Sequence, residues 1–212
     1  MQWTLVIPLK SLARAKSRLS DTAADGLRPS LALAFAQDTV AAALASPAVR
    51  NVAVVTDDEL AGRELAALGA RIVSDEPGGG LNAALAHAAA VVRAASPACP
   101  VAALNADLPA LRPFELARVL EAAGEFPRAF LADAAAIGTT LLAAAPGREL
   151  LPAFGPCSRT RHDDSGASEL LLDSVDSVRQ DVDTGADLRA ALALGVGPRT
   201  AAVAARLLIP GQ

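Results

Sequence analysis

Short apolar runs alternate with longer alanine-rich stretches along the chain. The runs at 4–7, 52–55, 71–73, 101–104, 129–131, 140–143 and 178–182 predict strands. Between them, 29–45, 59–68, 81–94, 113–122, 168–172 and 186–194 carry helical patterns. Strands that are apolar on both faces belong to a mostly parallel sheet with helices covering both sides. An α/β fold in one domain, residues 1–212, is therefore expected. Asp58 is placed to cap the second helix, and Arg112-Pro113 to open the fourth. The stretch 147–166 breaks the alternation. Its polar, turn-rich centre, from Gly155 through Cys157 and Ser158 to Asp164, reads as a functional loop, with a plain excursion as the alternative.

Composition narrows the function more than the fold. Hydrophobic residues make up 52%, yet there are only five Phe, one Trp and no Tyr, so helices must pack through alanine, valine and leucine. A net charge of −4 and so few aromatics argue against a nucleic-acid binder. No apolar run approaches the ~20 residues of a membrane span. The first ten residues, which include Lys10, do not resemble a secretory signal. Cys99 and Cys157 have neither metal-ligand spacing nor the number for a disulfide framework, so a cytoplasmic location is expected.

Chemistry is concentrated where strands end. The first strand empties into Lys10, Arg14, Lys16 and Arg18, four cations within nine residues. Arginine forks and lysine point charges suit phosphate oxygens, and open α/β sheets bind ligands at the carboxyl ends of their strands. A polyphosphate is the simplest partner; a solvated basic helix face is the alternative. Three acidic clusters follow strands: Asp57-Asp58, Asn105-Ala106-Asp107, and Asp183. Carboxylates converging there suit Mg²⁺, which prefers one or two of them plus substrate phosphates. Taken singly, each could equally cap a helix. Gly78-Gly79-Gly80 opens a helix at Leu81-Asn82, where backbone amides meet an anion or the Asn82 amide reads a purine edge; a plain turn is equally consistent. Thr140, Gly155 and Ser158 could bind a small phosphate or carboxylate, with turn chemistry as the alternative. His87 reads as structural, and His162 as a candidate anion contact.

Six blocks in order carry a resemblance. They are Pro8-Leu9-Lys10 with Ala15-Lys16-Ser17-Arg18-Leu19, Val54-Val55-Thr56-Asp57-Asp58, Gly80-Leu81-Asn82-Ala83-Ala84-Leu85, Ala106-Asp107-Leu108-Pro109-Ala110-Leu111, Gly138-Thr139-Thr140-Leu141-Leu142 and Asp181-Val182-Asp183-Thr184. Together they resemble the guanylyltransferases of coenzyme F420 biosynthesis, the CofC/FbiD family, over about residues 4–194. The resemblance implies a nucleotidyltransferase-like (Rossmann-like) fold, with GTP and Mg²⁺ as co-substrate and cofactor. It implies phosphoenolpyruvate or 2-phospho-L-lactate as acceptor, and the GC-rich flavour of the chain favours phosphoenolpyruvate. It implies Asp107 and Asp183 as metal carboxylates, and Thr140, Gly155 and Ser158 as the acceptor site. Lys10, Lys16 and Arg18, with Arg14, would hold the triphosphate, and Gly80 and Asn82 the nucleoside end. A downstream transferase of the pathway is an implied partner, and a homodimer is left open. The chain departs from the family pattern at Cys157, where a second glycine is expected, and at the acidic Asp163-Asp164. Rival readings are a nucleotidyltransferase for another acceptor and a non-catalytic GTP-binding protein.

Overall fold

The computed structural model describes residues 1–12, 27–75 and 79–207. Seven strands form one sheet in the order β3-β2-β1-β4-β6-β5-β7. β1 (Trp3–Pro8) lies between β2 (Val49–Val55) and β4 (Val101–Leu104), parallel to both, and β3 (Arg71–Val73) extends the β2 side. β6 (Thr139–Ala144) runs antiparallel between β4 and β5 (Arg128–Ala132), and β7 (Ser168–Glu169) pairs parallel with β5 at the edge. The chain moves outward from β1 to β3 and then returns to the other side of β1 as β4. Such a reversal of strand order opens a crevice at the carboxyl ends of the two central strands.

Alternation along β1 assigns the two faces. Leu5 and Ile7 pack with α1 (Arg28–Leu44), α2 (Glu59–Ala67) and α4 (Pro113–Ala123). Val6 faces α3 (Gly80–Ala95), whose Ala84, Ala88 and Ala89 let the helix sit close to the sheet, with Phe130, Leu142 and Phe154 completing that core. On the outer side of α1, Leu31 and Phe35 pack against Val182 and α7 (Gly185–Leu194). No described helix is long and apolar enough to cross a membrane.

Two expected elements differ. The run 178–182 is not a strand: α6 (Asp176–Arg179) occupies its start, and the backbone beyond is irregular. Val178 joins the core under α4 while Val182 joins the one beside α1, so the segment does not present one strand face. The run 168–172 is not a helix but begins with β7, after which Leu170 is buried and Leu171 is 83% exposed. Two helices lie where none is expected. α5 (Ser158–Asp164) forms inside the irregular stretch, and α8 (Pro198–Ala205) follows α7.

α8 owes its start to a residue distant in sequence. Asp38, buried on α1, accepts hydrogen bonds from the amides of Thr200 (2.7 Å) and Arg199 (3.3 Å), and the Arg199 guanidinium lies 3.7 Å away. It thus does for α8 what an N-cap side chain normally does from the adjacent position. The same turn reaches the crevice, because the Gly197 amide donates to the Pro109 carbonyl at 2.8 Å in the loop after β4. Asp38→Ala would leave the buried Thr200 amide and the part-buried Arg199 amide without acceptors and is expected to cost about 2 kcal/mol, read from urea unfolding.

Candidate functional site

The loop after β4 is the most heavily tied segment of the crevice. The Asn105 amide donates to the Thr140 carbonyl (2.9 Å), extending the β4–β6 ladder by one bond. The Leu108 amide donates to the hydroxyl of Thr39, buried on α1, at 3.1 Å. The Asp107 carbonyl accepts from the Val182 amide at 3.0 Å. This last bond joins residues far apart in sequence and sets Asp107 beside the segment carrying Asp181 and Asp183. The Asn105 side chain reaches the Asp181 carboxylate at 3.3 Å. Arg179 anchors the approach to that segment by donating to the Ala132 carbonyl (2.8 Å) and those of Leu170 and Leu172 (3.3 Å each). Asp107 is half-buried and Asp183 exposed. Among the described residues, no group of three or more His, Cys, Asp or Glu could hold a metal ion. Two carboxylates are a sufficient protein share for a hard cation that also binds phosphate oxygens.

The remaining acidic cluster, Asp57-Asp58, has other work. Asp58 caps α2 by accepting from the Ala61 amide (3.1 Å), and its second oxygen accepts from Leu12 (2.9 Å) at the root of the loop after β1. The Ala61 bond is the main reason its carboxyl is held below the usual range; burial opposes the shift, and the amides of Leu12 and Leu60 add to it. Asp57 accepts from the Asp75 amide at 2.9 Å. Lys10 stands exposed just past β1. Arg14, Lys16 and Arg18 lie outside the described residues.

The candidate acceptor residues gather at the start of β6. The Thr140 side chain is fully buried, and its hydroxyl has no hydrogen-bond partner among the described residues. The tip between β5 and β6 is closed by Asp133, which accepts from the amides of Ile137 (3.0 Å) and Gly138 (2.8 Å). A Cβ on Gly138 would stand 2.4 Å from that carboxylate, so no larger residue fits there without a shift. Ser158, buried at the start of α5, lies against this tip, and the Arg159 amide donates to the Ile137 carbonyl at 3.2 Å. Gly155 turns the chain into α5 with φ +123°, a conformation that glycine adopts without a side-chain clash. Cys157 follows in the left-handed region at φ 55°, ψ 36°. The glycine expected there from sequence corresponds to a backbone that glycine would hold more easily.

Two residues take roles other than those expected. Asn82, expected to offer its amide to a purine edge, is engaged on the backbone of Phe154. Its Oδ1 accepts from the Phe154 amide (2.8 Å), and its Nδ2 donates to the Phe154 carbonyl (3.0 Å). Gly80 begins the same helix, exposed, with φ 73°. His162 is not an anion contact. It is fully buried between Phe130 and Phe154, meets Thr139 Oγ1 at Nδ1 (2.9 Å) and accepts from the Ala153 amide at Nε2 (3.0 Å). Burial, with Arg128 and Arg161 nearby, pushes its pKa down to about 4, so the ring is neutral at pH 7. Thr39, Arg179 and His162 are structural supports that sequence reasoning missed or misassigned. A hydroxyl in mid-helix and a histidine between charged residues carry no local mark of such roles.

A family model described as "Guanylyl transferase CofC like" matches residues 3–207. The chain is 85% identical to a phosphoenolpyruvate guanylyltransferase of Streptomyces avermitilis, over 100% of this chain and 98% of the relative. It is 82% identical to the enzyme of that name from Streptomyces coelicolor, over 100% of both. Among solved structures it is similar to a nucleotidyl transferase from Methanothermobacter thermautotroptrophicus, with a TM-score of 0.62 and 22% identity, covering 91% of this chain and 97% of the other. That likeness shows a nucleotidyltransferase fold.

Two outcomes follow from this geometry. The unfolded chain binds a proton on His162 between pH 6.5 and about 4 that the native ring refuses. Its contribution is therefore whole above pH 6.5 and declines as pH falls, by up to about 3 kcal/mol. Thermal unfolding between pH 7 and 4.5 should show this slope in the wild type, and a shallower one in His162→Gln. Cys157→Gly should raise stability by about 1 kcal/mol by removing the left-handed penalty, read as an upward shift in Tm.

Proposed function

Because the chain belongs to the family of CofC-like guanylyl transferases, we propose that it transfers GMP from GTP to phosphoenolpyruvate, in the cytoplasm, as a step of coenzyme F420 biosynthesis. An oxygen of the acceptor's phosphate attacks the α-phosphorus of GTP in line. The new P–O–P bond gives enolpyruvoyl-2-diphospho-5'-guanosine, and the bond to the β-phosphate breaks to release diphosphate. A phosphate nucleophile is already ionised at neutral pH and needs no general base, which agrees with a His162 that is fully buried with both ring nitrogens engaged. The residues then act by positioning and charge neutralisation.

The observation that carries this reading is the Val182–Asp107 backbone bond, which brings two carboxylate-bearing segments to the carboxyl end of β4. Asp107 and Asp183 would hold Mg²⁺ through hard oxygen donors, a set that fits this ion. When bound, the ion offsets negative charge on the nucleotide phosphates. Lys10, Arg14, Lys16 and Arg18 would grip the triphosphate and the departing diphosphate. The start of α3 at Gly80 would face the nucleotide, with Asn82 fastening that helix to the loop before Gly155. Thr140, Gly155 and Ser158 would receive the acceptor; the Thr140 hydroxyl, buried and without a hydrogen-bond partner among the described residues, would be one donor.

The test is diphosphate release from GTP and Mg²⁺ with phosphoenolpyruvate, 2-phospho-L-lactate or no acceptor. Release with phosphoenolpyruvate alone is expected; release with 2-phospho-L-lactate instead would reassign the acceptor. Asp107→Ala should lower kcat/KM about 100- to 1000-fold, and a near-normal rate would refute the metal assignment.

A further inference from the structure

The backbone entering the acceptor loop is held by two side chains rather than by secondary structure. His162 takes the Ala153 amide, and Asn82 takes both polar backbone groups of the next residue, Phe154. The Phe154 ring stands edge-on to the imidazole, 5.0 Å between centroids at 74°, and Phe130 packs at 5.8 Å. Gly155 and Ser158 follow immediately. The other side of the imidazole meets Thr139, the neighbour of Thr140. One ring therefore connects the loop carrying Gly155 and Ser158 to the strand carrying Thr140.

Only certain side chains can make this connection. A backbone amide can only donate, so Nε2 must present a lone pair. In a neutral ring the proton is then on Nδ1, which donates to Thr139 Oγ1. The position requires an acceptor and a donor on opposite sides of one planar group. Glutamine offers that couple, and phenylalanine fills the same space with neither.

We infer that His162, with Asn82, is a positioning residue for the acceptor: together they set the 153–158 backbone against Thr140, so that Gly155 and Ser158 meet the acceptor's anionic group. This rests on the acceptor reading of Thr140, Gly155 and Ser158 given above. Neither side chain touches the reacting atoms.

The experiment measures diphosphate release by the full chain with GTP and phosphoenolpyruvate varied in turn, for wild type, His162→Phe, His162→Gln and Asn82→Ala. Amide hydrogen exchange of the 152–158 segment is followed in parallel. His162→Phe should raise KM for phosphoenolpyruvate by about tenfold, the loss of a hydrogen-bonded couple, with KM for GTP within about twofold. His162→Gln should restore most of that affinity. Exchange at Ala153 and Phe154 should rise in His162→Phe and be protected again in His162→Gln. Asn82→Ala should also move KM for phosphoenolpyruvate, and it carries the test if His162→Phe does not fold. A wild type that releases no diphosphate with phosphoenolpyruvate overturns the acceptor reading and this inference with it. In an active wild type, three results overturn the inference alone. They are both KM values moving together, glutamine rescuing no better than phenylalanine, and Asn82→Ala raising KM for GTP instead.

Discussion

The hydrogen bond from the Val182 amide to the Asp107 carbonyl is the constraint on which the crevice depends. Asp107 follows a central strand and is placed by the sheet. Asp183 follows no strand, and the irregular backbone before it would not by itself bring a carboxylate to the end of β4. The surrounding ties serve this junction: Thr39 holds Leu108, Asn105 holds Asp181, and Arg179 fastens the approach to the ends of β5 and β7. The two segments that carry Asp107 and Asp183 are thus held together through the backbone, which is bound from both sides.

β6 gives the molecule its second organising line. As the reversed strand between β4 and β5, it begins at the edge where its parallel neighbours end. Thr139 and Thr140 therefore sit at the start of β6, beside the loop that follows β4. Thr140 is fully buried there with a hydroxyl unpartnered among the described residues, while Thr139 links to His162 and the loop into α5. The proposed site has two halves, a carboxylate half fastened to α1 and a loop half fastened to α3. That division matches a reaction joining two separately bound phosphates.

Several features were legible because their cause is local. Asp58 caps α2 and Pro113 opens α4 through chemistry confined to a few residues. β1, β2, β4, β5 and β6 were readable from runs that are apolar on both faces, a property of composition over a few positions. The strand expected at 178–182 failed for the opposite reason. Val178 and Val182 are buried in different cores, a fact that apolar spacing does not encode. α8 escaped notice because its capping carboxylate, Asp38, lies on another helix.

The sequence by itself determined the sheet, its helical layers, the family and the identities of the charged residues at the strand ends, because burial patterns and ordered motifs are written along the chain. Tertiary structure alone decided which of those residues are employed on the backbone. It engaged Asp57 on the Asp75 amide, made Asn82 a clamp on Phe154 and made His162 a buried neutral link. A side chain's donors and acceptors are fixed by its type, but the groups that satisfy them come from segments that only folding brings within hydrogen-bond distance.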